Sequence, residues 1–413
     1  MASTRSLPPA LGFACALLSG ASPGAAEWPQ WGGPTRDFQL EGRMAPRWPE
    51  GGPRVAWRRA LDDGYSGVAV AGDVLYTMGR RGSSERVLAL SVRSGETLWD
   101  HEYPAPLPGG MLTNHGVGPR STPLVTEARV FTVGVNGTFR CLDRADGALK
   151  WKVELVSGLG GNLDKRGYSP SPLAFGDHVI VPVGGGGRAL VAFRQDDGGV
   201  AWRSGDFESA PSSPLLIELA GKTQLVALLN GFVAGFDPTT GRLLWKHPHG
   251  GRGERNITTP VWGPDGLLFV SSAYGGGSRV LRLVAEGGET RVREVWAHEQ
   301  VRVMFTNALR IGDHVYASSG DFGAVPLVAV DVRTGSVAWR DRTFARLNMV
   351  RVGDRVLVLD EKGTLALVSL SPQGLTVHSR VQLRDELAWT APSVSNGRAY
   401  VRTKTALIAL ELP

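Results

Sequence analysis

The side chains best suited to chemistry in this sequence lie in short irregular segments that recur along the chain. They combine arginine, asparagine and glutamate with histidine and aromatic rings, and they are Asn114, His115, Arg120, Arg166, Tyr168, Glu208, Arg255, Asn256, Arg302, Asn307, Arg346, Asn348, Glu386 and Trp389. Arginine forms paired hydrogen bonds with acidic groups, and aromatic rings stack on planar ones. We call this set the rim residues, and they predict a binding surface for a protein or peptide, or for a small acidic or planar ligand.

Two further patterns could suggest chemistry but lack the partners that it needs. His247 and His249 could share one face of a strand and meet a metal ion, yet no third ligand stands near them in the sequence. The glycines at 184 to 187 lie between two predicted strands and open no helix, so a phosphate cradle is not expected. From the residues themselves we predict no catalytic residue and no metal site.

The composition indicates a folded protein built from strands and turns. Apolar residues make up 42% of the 413 residues, which is enough for a sizeable core, while 55 glycines and 26 prolines favour turns over long helices. The formal net charge is +6, but acidic residues are interspersed among the basic ones. This balance indicates a solvated surface and no nucleic-acid partner.

One stretch returns along the chain and defines a structural unit. ALSVRSGETLW at 89 to 99 places a small residue, a glycine and a tryptophan at fixed intervals, and the spacing recurs at Cys141, Gly147 and Trp151 and in three further copies. An apolar strand and a turn precede each copy, and several units begin with STPLV, SPSPL, PSSPL or ITTPV. The tryptophans repeat every ~42 to 52 residues, the period of propeller blades, so each unit predicts a four-stranded antiparallel sheet.

The repeats predict an all-β fold, an eight-bladed β-propeller over residues 54–413. Seven units lie between about residues 67 and 384. The chain then ends in three strands, and RVAWRRAL at 54 to 61 supplies a fourth. Pairing of the two termini closes the ring and leaves no open edge between the first and last blades.

The repeated tryptophan is predicted to hold neighbouring blades together. The glycine of each copy lies in the turn before the outer strand, where it permits a positive φ and lets an aromatic ring approach the backbone. The indole then stacks on the turn of the neighbouring blade and donates its N–H to a carbonyl there. The residues expected in this role are Trp57, Trp99, Trp151, Trp202, Trp245, Trp296 and Trp339.

The start of the chain is predicted to lie outside the propeller. Residues 1–26 join a basic residue, a short apolar stretch and small residues ending at Ala26, the pattern of a cleaved export signal, and residues 27–53 form an N-terminal extension. The apolar stretch is too short for a permanent membrane span, so we expect a periplasmic or secreted protein. Cys15 matches a lipid-attachment site poorly, and Cys141 alone remains after the signal, so no internal disulfide can form.

In these motifs the sequence resembles the pyrroloquinoline-quinone-like (PQQ-like) propeller repeat family of the quinoprotein alcohol dehydrogenase-like superfamily. The docking motif carries the resemblance over about residues 54–413, and EWPQWGGPTRDF at 27 to 38 is similar to the mature start of exported bacterial members. The chain departs from the repeat at His378, in place of a tryptophan, and in blade 5, where EGGETRVREVW adds residues before Trp296. The contacts between neighbouring blades, which we call seams, are predicted to be loosest at these two places.

The resemblance implies functions of different classes. Quinoprotein dehydrogenases hold PQQ and calcium, and in this sequence Glu208, Asn256 or Glu386 would be the candidate metal or base residues. Those enzymes are longer and place a Cys-Cys disulfide over the cofactor, which this sequence lacks, and many members of the family bind no quinone. We therefore expect no cofactor and a monomeric, non-catalytic binding or protein-assembly scaffold of the cell envelope. A PQQ- and calcium-dependent dehydrogenase and a carbohydrate-binding module are the alternatives.

Overall fold

Eight β-sheets arranged around a central channel make up the fold. The structure is a computed structural model that describes residues 27–250, 256–323, 325–384 and 386–413. Each sheet has four antiparallel strands, and the seventh sheet gains one short parallel strand. No helix occurs within these described ranges. The predicted all-β, eight-bladed β-propeller is confirmed.

The blades follow one another along the chain, and the strands of each blade run in order from the inner strand at the channel to the outer strand. Blade 1 contains Ala69–Ala71, Val74–Arg81, Ser84–Ser91 and Thr97–Pro104, and blade 2 contains Leu124–Val125, Arg129–Val133, Thr138–Asp143 and Leu149–Glu154. Blade 3 contains Leu173–Phe175, His178–Pro182, Leu190–Arg194 and Val200–Ser204, and blade 4 contains Leu215–Leu219, Lys222–Leu229, Phe232–Phe236 and Leu243–Pro248. Blade 5 contains Val261–Trp262, Leu267–Ser272, Gly277–Glu286 and Glu289–His298, and blade 6 contains Ala308–Ile311, His314–Ser318, Leu327–Asp331 and Val337–Asp341. Blade 7 contains Leu347–Val352, Arg355–Asp360, Thr364–Ser371 and Gly374–Gln382, and blade 8 contains Ser393–Ser395, Arg398–Arg402, Ala406–Glu411 and Val55–Ala60.

The two ends of the propeller sequence meet in blade 8. The strand Val55–Ala60 runs antiparallel to Ala406–Glu411, with Trp57 opposite Ala409. Three strands of this sheet therefore come from the end of the chain and the outer one from its beginning. The predicted closure of the ring is confirmed.

The docking tryptophans join consecutive blades as predicted. Trp99 of blade 1 donates its indole N–H to the carbonyl of Arg144 in blade 2 at 3.1 Å, and its ring lies against Gly147. The equivalent bonds run from Trp57 to Val92, Trp151 to Gln195, Trp202 to Pro238, Trp296 to Val332 and Trp339 to Ser371, at 2.8 to 3.1 Å. Each bond crosses from the outer strand of one blade to the last turn of the next.

Trp245 was also predicted to dock, and this prediction is wrong. Its indole N–H donates to the side-chain oxygen of Gln224 in its own blade, at 2.8 Å. The reason lies in blade 5, whose last two strands form a long hairpin with Gly287 and Gly288 at its tip instead of the short docking turn. Gln224 bridges this seam because its amide donates to Thr290 in the outer strand of blade 5 at 2.8 Å.

The seam at His378 is closed by a residue from the N-terminal extension. Trp48 lies over the outer strand of blade 7, with its main-chain N–H bonded to Ser379 Oγ at 2.8 Å. It is 6% exposed and belongs to the apolar cluster that joins blades 7 and 8. His378 itself bonds to Ser369 within blade 7. Trp48 thus supplies an indole at the joint where the repeat has none.

The remaining apolar core is divided among the blade interfaces. Between blades 2 and 3, for example, Phe131 and Phe139 pack with Val181 and Phe193, all fully buried. Cys141 is also fully buried in this cluster, and burial raises the pKa of its thiol to about 12. Its predicted role as a small packing residue agrees with this position.

A closed series of hydrogen bonds, which we call the girdle, links the starts of the inner strands. In each bond a hydroxyl or amide side chain at one strand start meets a main-chain group at the neighbouring one. The bonds run from Gly67 to Thr122, Thr122 to Ser171, Ser171 to Ser213, Ser212 to Thr258, Thr258 to Thr306, Asn307 to Asn348, Asn348 to Trp389, and Thr390 to Tyr65. Each bond joins one blade to the next, so the repeated Ser and Thr residues position the loops around the channel mouth.

The N-terminal extension enters the channel and leaves it at the same end. Residues 27–42, which we call the plug, start beside the first turn of blade 1, where Glu27 accepts a bond from the Gly72 N–H at 3.0 Å. They end at the first turn of blade 7, where the Leu40 carbonyl accepts from the Gly353 N–H at 3.0 Å. These turns define the lower face, and the loops from each outer strand to the next inner strand define the upper face. The sequence predicted the extension but not its place inside the propeller.

The plug is held to several blades at once. Trp28 exchanges two main-chain hydrogen bonds with Val70 of blade 1, at 3.0 and 2.7 Å, and Gln39–Leu40 pairs in parallel with the inner strand of blade 7. The Trp31 indole N–H donates to Thr259 Oγ1 of blade 5 at 3.0 Å. The plug is therefore an integral part of the channel wall.

Candidate functional site

A cavity of about 730 Å³ opens at the upper face and has the tip of the plug as its floor. Trp31, Arg36 and Phe38 line the floor, and Leu215 and Ile217 of blade 4 line one wall beside it. The volume lies in the range of small-molecule and peptide-side-chain pockets. The plug thus converts a channel into a pocket that is entered from the upper face.

Aromatic side chains from distant parts of the sequence converge at the mouth of this cavity. Trp389 lies at their centre, with ring centroids 4.9 Å from Phe305, 5.3 Å from Tyr65 and 5.5 Å from His115. The Trp389 indole N–H donates to Glu361 at 3.1 Å, which fixes the orientation of the ring. These four rings form the aromatic cluster of the mouth.

A second aromatic pair extends the mouth along blades 5 and 6. Tyr274 and Phe322 come from the loops between the second and third strands of these blades, and their rings lie 5.5 Å apart. Phe322 is 74% exposed, the highest value among the large apolar side chains of the described residues. An apolar ring held so far into solvent is available to a partner.

Arginines flank the aromatic rings on both sides. The guanidinium of Arg346 lies 4.5 Å from the centroid of Phe305, which is cation–π geometry, and it donates to the Asp321 carbonyl at 3.1 Å. The Arg302 side chain pairs with the Asp321 carboxylate at 3.4 Å. This side of the mouth therefore presents fixed guanidinium groups next to exposed apolar surface.

The other side of the mouth carries Arg120 and Arg166. Arg120 donates to the carbonyls of Gly116 and Gly118, and burial lowers the pKa of its guanidinium. Burial, followed by the charges of Arg166 and Arg120, also lowers the pKa of His115. His115 is therefore neutral at pH 7 and faces a positive local potential.

Several predicted rim residues serve the fold instead of the mouth. Tyr168 is 3% exposed, with its hydroxyl bonded to the Pro182 carbonyl at 2.7 Å, and Asn256 is fully buried, with its amide bonded to the Leu229 carbonyl at 2.6 Å. Their placement on an exposed rim is therefore wrong, because both polar groups satisfy main-chain atoms inside the blades. Asn307 and Asn348 belong to the girdle, although Asn307 also lines the cavity.

The acidic candidates lie away from the cavity lining. Glu208 is exposed and accepts a bond from the Asn230 amide at 3.3 Å, while Glu386 caps a turn by accepting bonds from Thr403 and Thr405. Arg255 lies outside the described residues. The predicted residues that the cavity brings together are His115, Arg120, Arg166, Asn307, Arg346 and Trp389.

A buried serine–histidine pair has the partners of a structural relay. Ser272 Oγ lies 2.6 Å from His249 Nε2, while Arg279 Nε donates to His249 Nδ1 at 2.8 Å. With Nδ1 accepting, Nε2 carries the proton, so the imidazole donates to Ser272 and cannot remove its proton. Burial, then the charge of Arg279, lowers the pKa of His249 to about 3. His247 Nδ1 lies 2.9 Å from the Pro248 carbonyl and Nε2 lies 3.7 Å from Glu294, and the described residues place no third ligand that would complete a metal site with the two histidines.

The residues present do not fit a calcium-dependent quinone site. The candidate ligands are engaged by other protein groups: Glu208 by the Asn230 amide, Asn256 by the Leu229 carbonyl, and Glu386 by Thr403 and Thr405. Among the described residues no group of three or more His, Cys, Asp or Glu side chains is placed to hold a metal ion. No step through PQQ or calcium is therefore derived for this chain.

Sequence reasoning missed four aromatic residues of the mouth: Tyr65, Tyr274, Phe305 and Phe322. Tyr65 and Phe305 stand in DDGYSG and RVMFTN, short irregular segments that each precede the inner strand of a blade. An aromatic residue in a short polar loop was the available signal. Tyr274 and Phe322 lie in loops inside their blades, which the repeat gave no reason to place at the channel.

A family model matches more than half of this chain. The family model described as outer membrane protein assembly factor BamB matches residues 83–341. The outer membrane protein assembly factor BamB of Yersinia pestis is 24% identical over an alignment of 269 residues that covers 60% of this chain and 58% of that protein. The match thus spans less than two thirds of that relative's length.

Solved structures share the architecture at low sequence identity. BamB from Moraxella catarrhalis superposes with a TM-score of 0.60 at 19% identity, covering 87% of this chain and 97% of that one. A europium-containing methanol dehydrogenase gives 0.53 at 13% identity, covering 94% and 98%. The quinohemoprotein alcohol dehydrogenase of Comamonas testosteroni gives 0.52 at 13% identity, covering 94% and 80%. These likenesses concern the fold alone.

Proposed function

Because this chain belongs to the family described as outer membrane protein assembly factor BamB, we propose that it is a non-catalytic scaffold in the assembly of outer-membrane proteins. It acts through protein contacts made at the upper face of the propeller. It works as an exported, monomeric protein of the periplasm, without PQQ or calcium. Among the described residues no helix is long and apolar enough to cross a membrane.

The observation that carries this proposal is the joining of aromatic rings and arginines at the mouth of the cavity. Protein interfaces derive most of their binding energy from a few tryptophan, tyrosine and arginine residues in partly enclosed positions. Trp389, Tyr65 and Arg346 match that description because their rings and guanidinium are held by neighbouring loops. Phe322, with its large exposed fraction, provides the outermost contact.

The arrangement of the buried polar groups supports a role without catalysis. The Ser272–His249 pair lacks a base, and the acidic candidates Glu208 and Glu386 accept hydrogen bonds from neighbouring protein groups. The girdle and the docking tryptophans hold the loops in a fixed ring. A rigid surface of this kind loses little conformational entropy when a partner binds.

The proposal predicts that an acidic residue at the mouth impairs outer-membrane assembly. In cells that lack the native protein, Phe322→Glu with Trp389→Ala should fail to restore the amount of folded outer-membrane β-barrel proteins. The expected loss is at least about tenfold in partner affinity, since removing one buried aromatic contact costs ~2 kcal/mol or more. The readout is the folded barrel content of purified outer membranes.

Leu98→Glu is the matched control because Leu98 is also exposed, at 56%, and lies on the outer strand of blade 1 away from the mouth. It should restore assembly like the wild type. Thermal melting of both variants controls for folding. Full restoration by the mouth variant, or equal failure of both variants, would count against the proposed surface.

A further inference from the structure

Arg36 is a buried cation whose charge is not balanced by an acidic side chain. It is 3% exposed at the tip of the plug, and burial lowers the pKa of its guanidinium to about 9, so the group remains charged at pH 7. Its Nη atoms donate to the carbonyls of Pro172 and Ser171, at 2.8 and 3.2 Å, and to the Gln30 amide oxygen at 3.0 Å. Among the described residues no carboxylate forms an ion pair with it, and its Nε has no hydrogen-bond partner.

The main chain around Arg36 is held in a conformation that costs free energy. Arg36 and Phe38 have φ angles of 60° and 61°, in the left-handed region that residues with a Cβ rarely adopt. Gly33 makes the turn possible, because a Cβ there would lie 2.9 Å from the Trp28 ring. Strain and a buried charge at one residue are typical of functional positions.

The charge lies in the wall of the cavity, next to apolar surface. Arg36 lines the floor together with Trp31 and Phe38, whose rings meet edge to face at 5.0 Å. Leu215 and Leu216 of blade 4 line the adjacent wall. Asp37 also lines the cavity, but its carboxylate accepts from the Thr35 hydroxyl and the Gln39 N–H. The floor therefore offers the Arg36 guanidinium, two aromatic rings and aliphatic side chains to whatever enters from the mouth.

We propose that the floor of the cavity is a binding site for a small aromatic carboxylic acid, with Arg36 as the residue that receives the carboxylate. The anion neutralises the buried guanidinium and accepts from its unpartnered Nε–H group, while the ring packs between the plug aromatics and the wall of blade 4. An inorganic anion would meet the charge but leave the apolar walls hydrated, and a neutral aromatic would leave the charge unbalanced. The site goes beyond the scaffold function, since it needs no partner protein.

The test uses 2-naphthoate and its neutral amide, 2-naphthamide, as probes in calorimetric titration of the purified protein from residue 27. The wild type should bind naphthoate at least about tenfold more tightly, as expected for a charge-assisted hydrogen bond. Arg36→Gln should abolish this preference while leaving naphthamide binding within about twofold. Arg194→Gln removes an exposed arginine that pairs with Asp197 and should leave the preference unchanged.

Equal affinity of the wild type for the two probes would overturn the proposal, as would a preference for naphthoate that persists in Arg36→Gln. If Arg36→Gln does not fold, Leu216→Trp provides the second variant. Leu216 is half-buried and lines the cavity, so the larger ring occupies the proposed space. Naphthoate affinity should then fall at least about tenfold, and unchanged affinity would place the ligand elsewhere and refute the site.

Discussion

We expect Gly147→Ala to lower the free energy of unfolding by about 2 to 5 kcal/mol, although the substitution adds only a single methyl group. Gly147 has a φ of 75°, which costs about 1 to 2 kcal/mol for a residue with a Cβ. The new Cβ would also lie 2.5 Å from Cε3 of Trp99, so the docked indole must move, at a further cost of about 1 to 3 kcal/mol. Urea unfolding followed by tryptophan fluorescence measures the sum.

Gly176→Ala separates the two contributions. Gly176 has a φ of 57°, but a Cβ there would meet no atom within 4 Å, so only the backbone cost of about 1 to 2 kcal/mol is expected. In a double-mutant cycle, Trp99→Ala removes the ring with which the new Cβ at Gly147 would clash. The double variant should therefore lose less free energy of unfolding than the sum of the losses of Gly147→Ala and Trp99→Ala. Equal losses for Gly147→Ala and Gly176→Ala would mean that the indole does not dock on the glycine.

Trp28→Ala should cost about 3 to 5 kcal/mol, because it removes a large buried ring from the start of the plug. Trp28 is 2% exposed and packs against Phe38, with ring centroids 6.4 Å apart. Loss of the ring should also release the plug from blade 1, which would expose residues 27–42 to limited proteolysis. Urea unfolding and the cleavage pattern by mass spectrometry are the two readouts.

The effect of Gly33→Ala can be compared between the wild type and the Trp28→Ala variant. Gly33→Ala in the wild type places a Cβ 2.9 Å from the Trp28 ring, whereas in Trp28→Ala that space is empty. The Gly33 substitution should therefore be less harmful in the variant background by about 1 to 3 kcal/mol. A Trp28→Ala protein as stable and as protease-resistant as the wild type would mean that the plug is not packed in the channel in solution.

The sequence was sufficient for the fold because the information that builds a blade is local and repeated. The spacing of Ala89, Gly95 and Trp99 recurs with the same geometry, so one physical explanation served every seam except those after Trp245 and at His378. The prediction failed at Trp245 because docking depends on the next blade, where the hairpin ending at Gly287 and Gly288 replaces the short turn. The motif in one blade carries no information about the turn that the next blade presents to it.

The plug could not be predicted because the contacts that hold it in the channel are distant in sequence. Trp31 bonds to Thr259 and Arg36 bonds to Ser171, and neither bond joins two positions of the repeat. The resemblance at EWPQWGGPTRDF indicated a family-like start to the mature chain but not where it lies. Long-range packing of an irregular segment leaves no periodic signal.

The sequence predicted candidate residues in short irregular segments, but not which of their side chains point into the cavity. Arg346 and Trp389 line the cavity, whereas Tyr168 and Asn256 turn inward to satisfy carbonyl groups. A polar residue next to a strand end has two uses, binding and capping. The sequence alone does not distinguish them, because both require the same donors and acceptors.

Site-specific photo-crosslinking in living cells tests the central claim most directly. A photoreactive amino acid at Phe322, at the mouth, should form crosslinks to an outer-membrane assembly component or an outer-membrane β-barrel protein identified by mass spectrometry. The same amino acid at Leu98, on the outer strand of blade 1, should form none. Crosslinks to such proteins at Leu98 but not at Phe322, or at neither position, would contradict a scaffold that acts through the upper face.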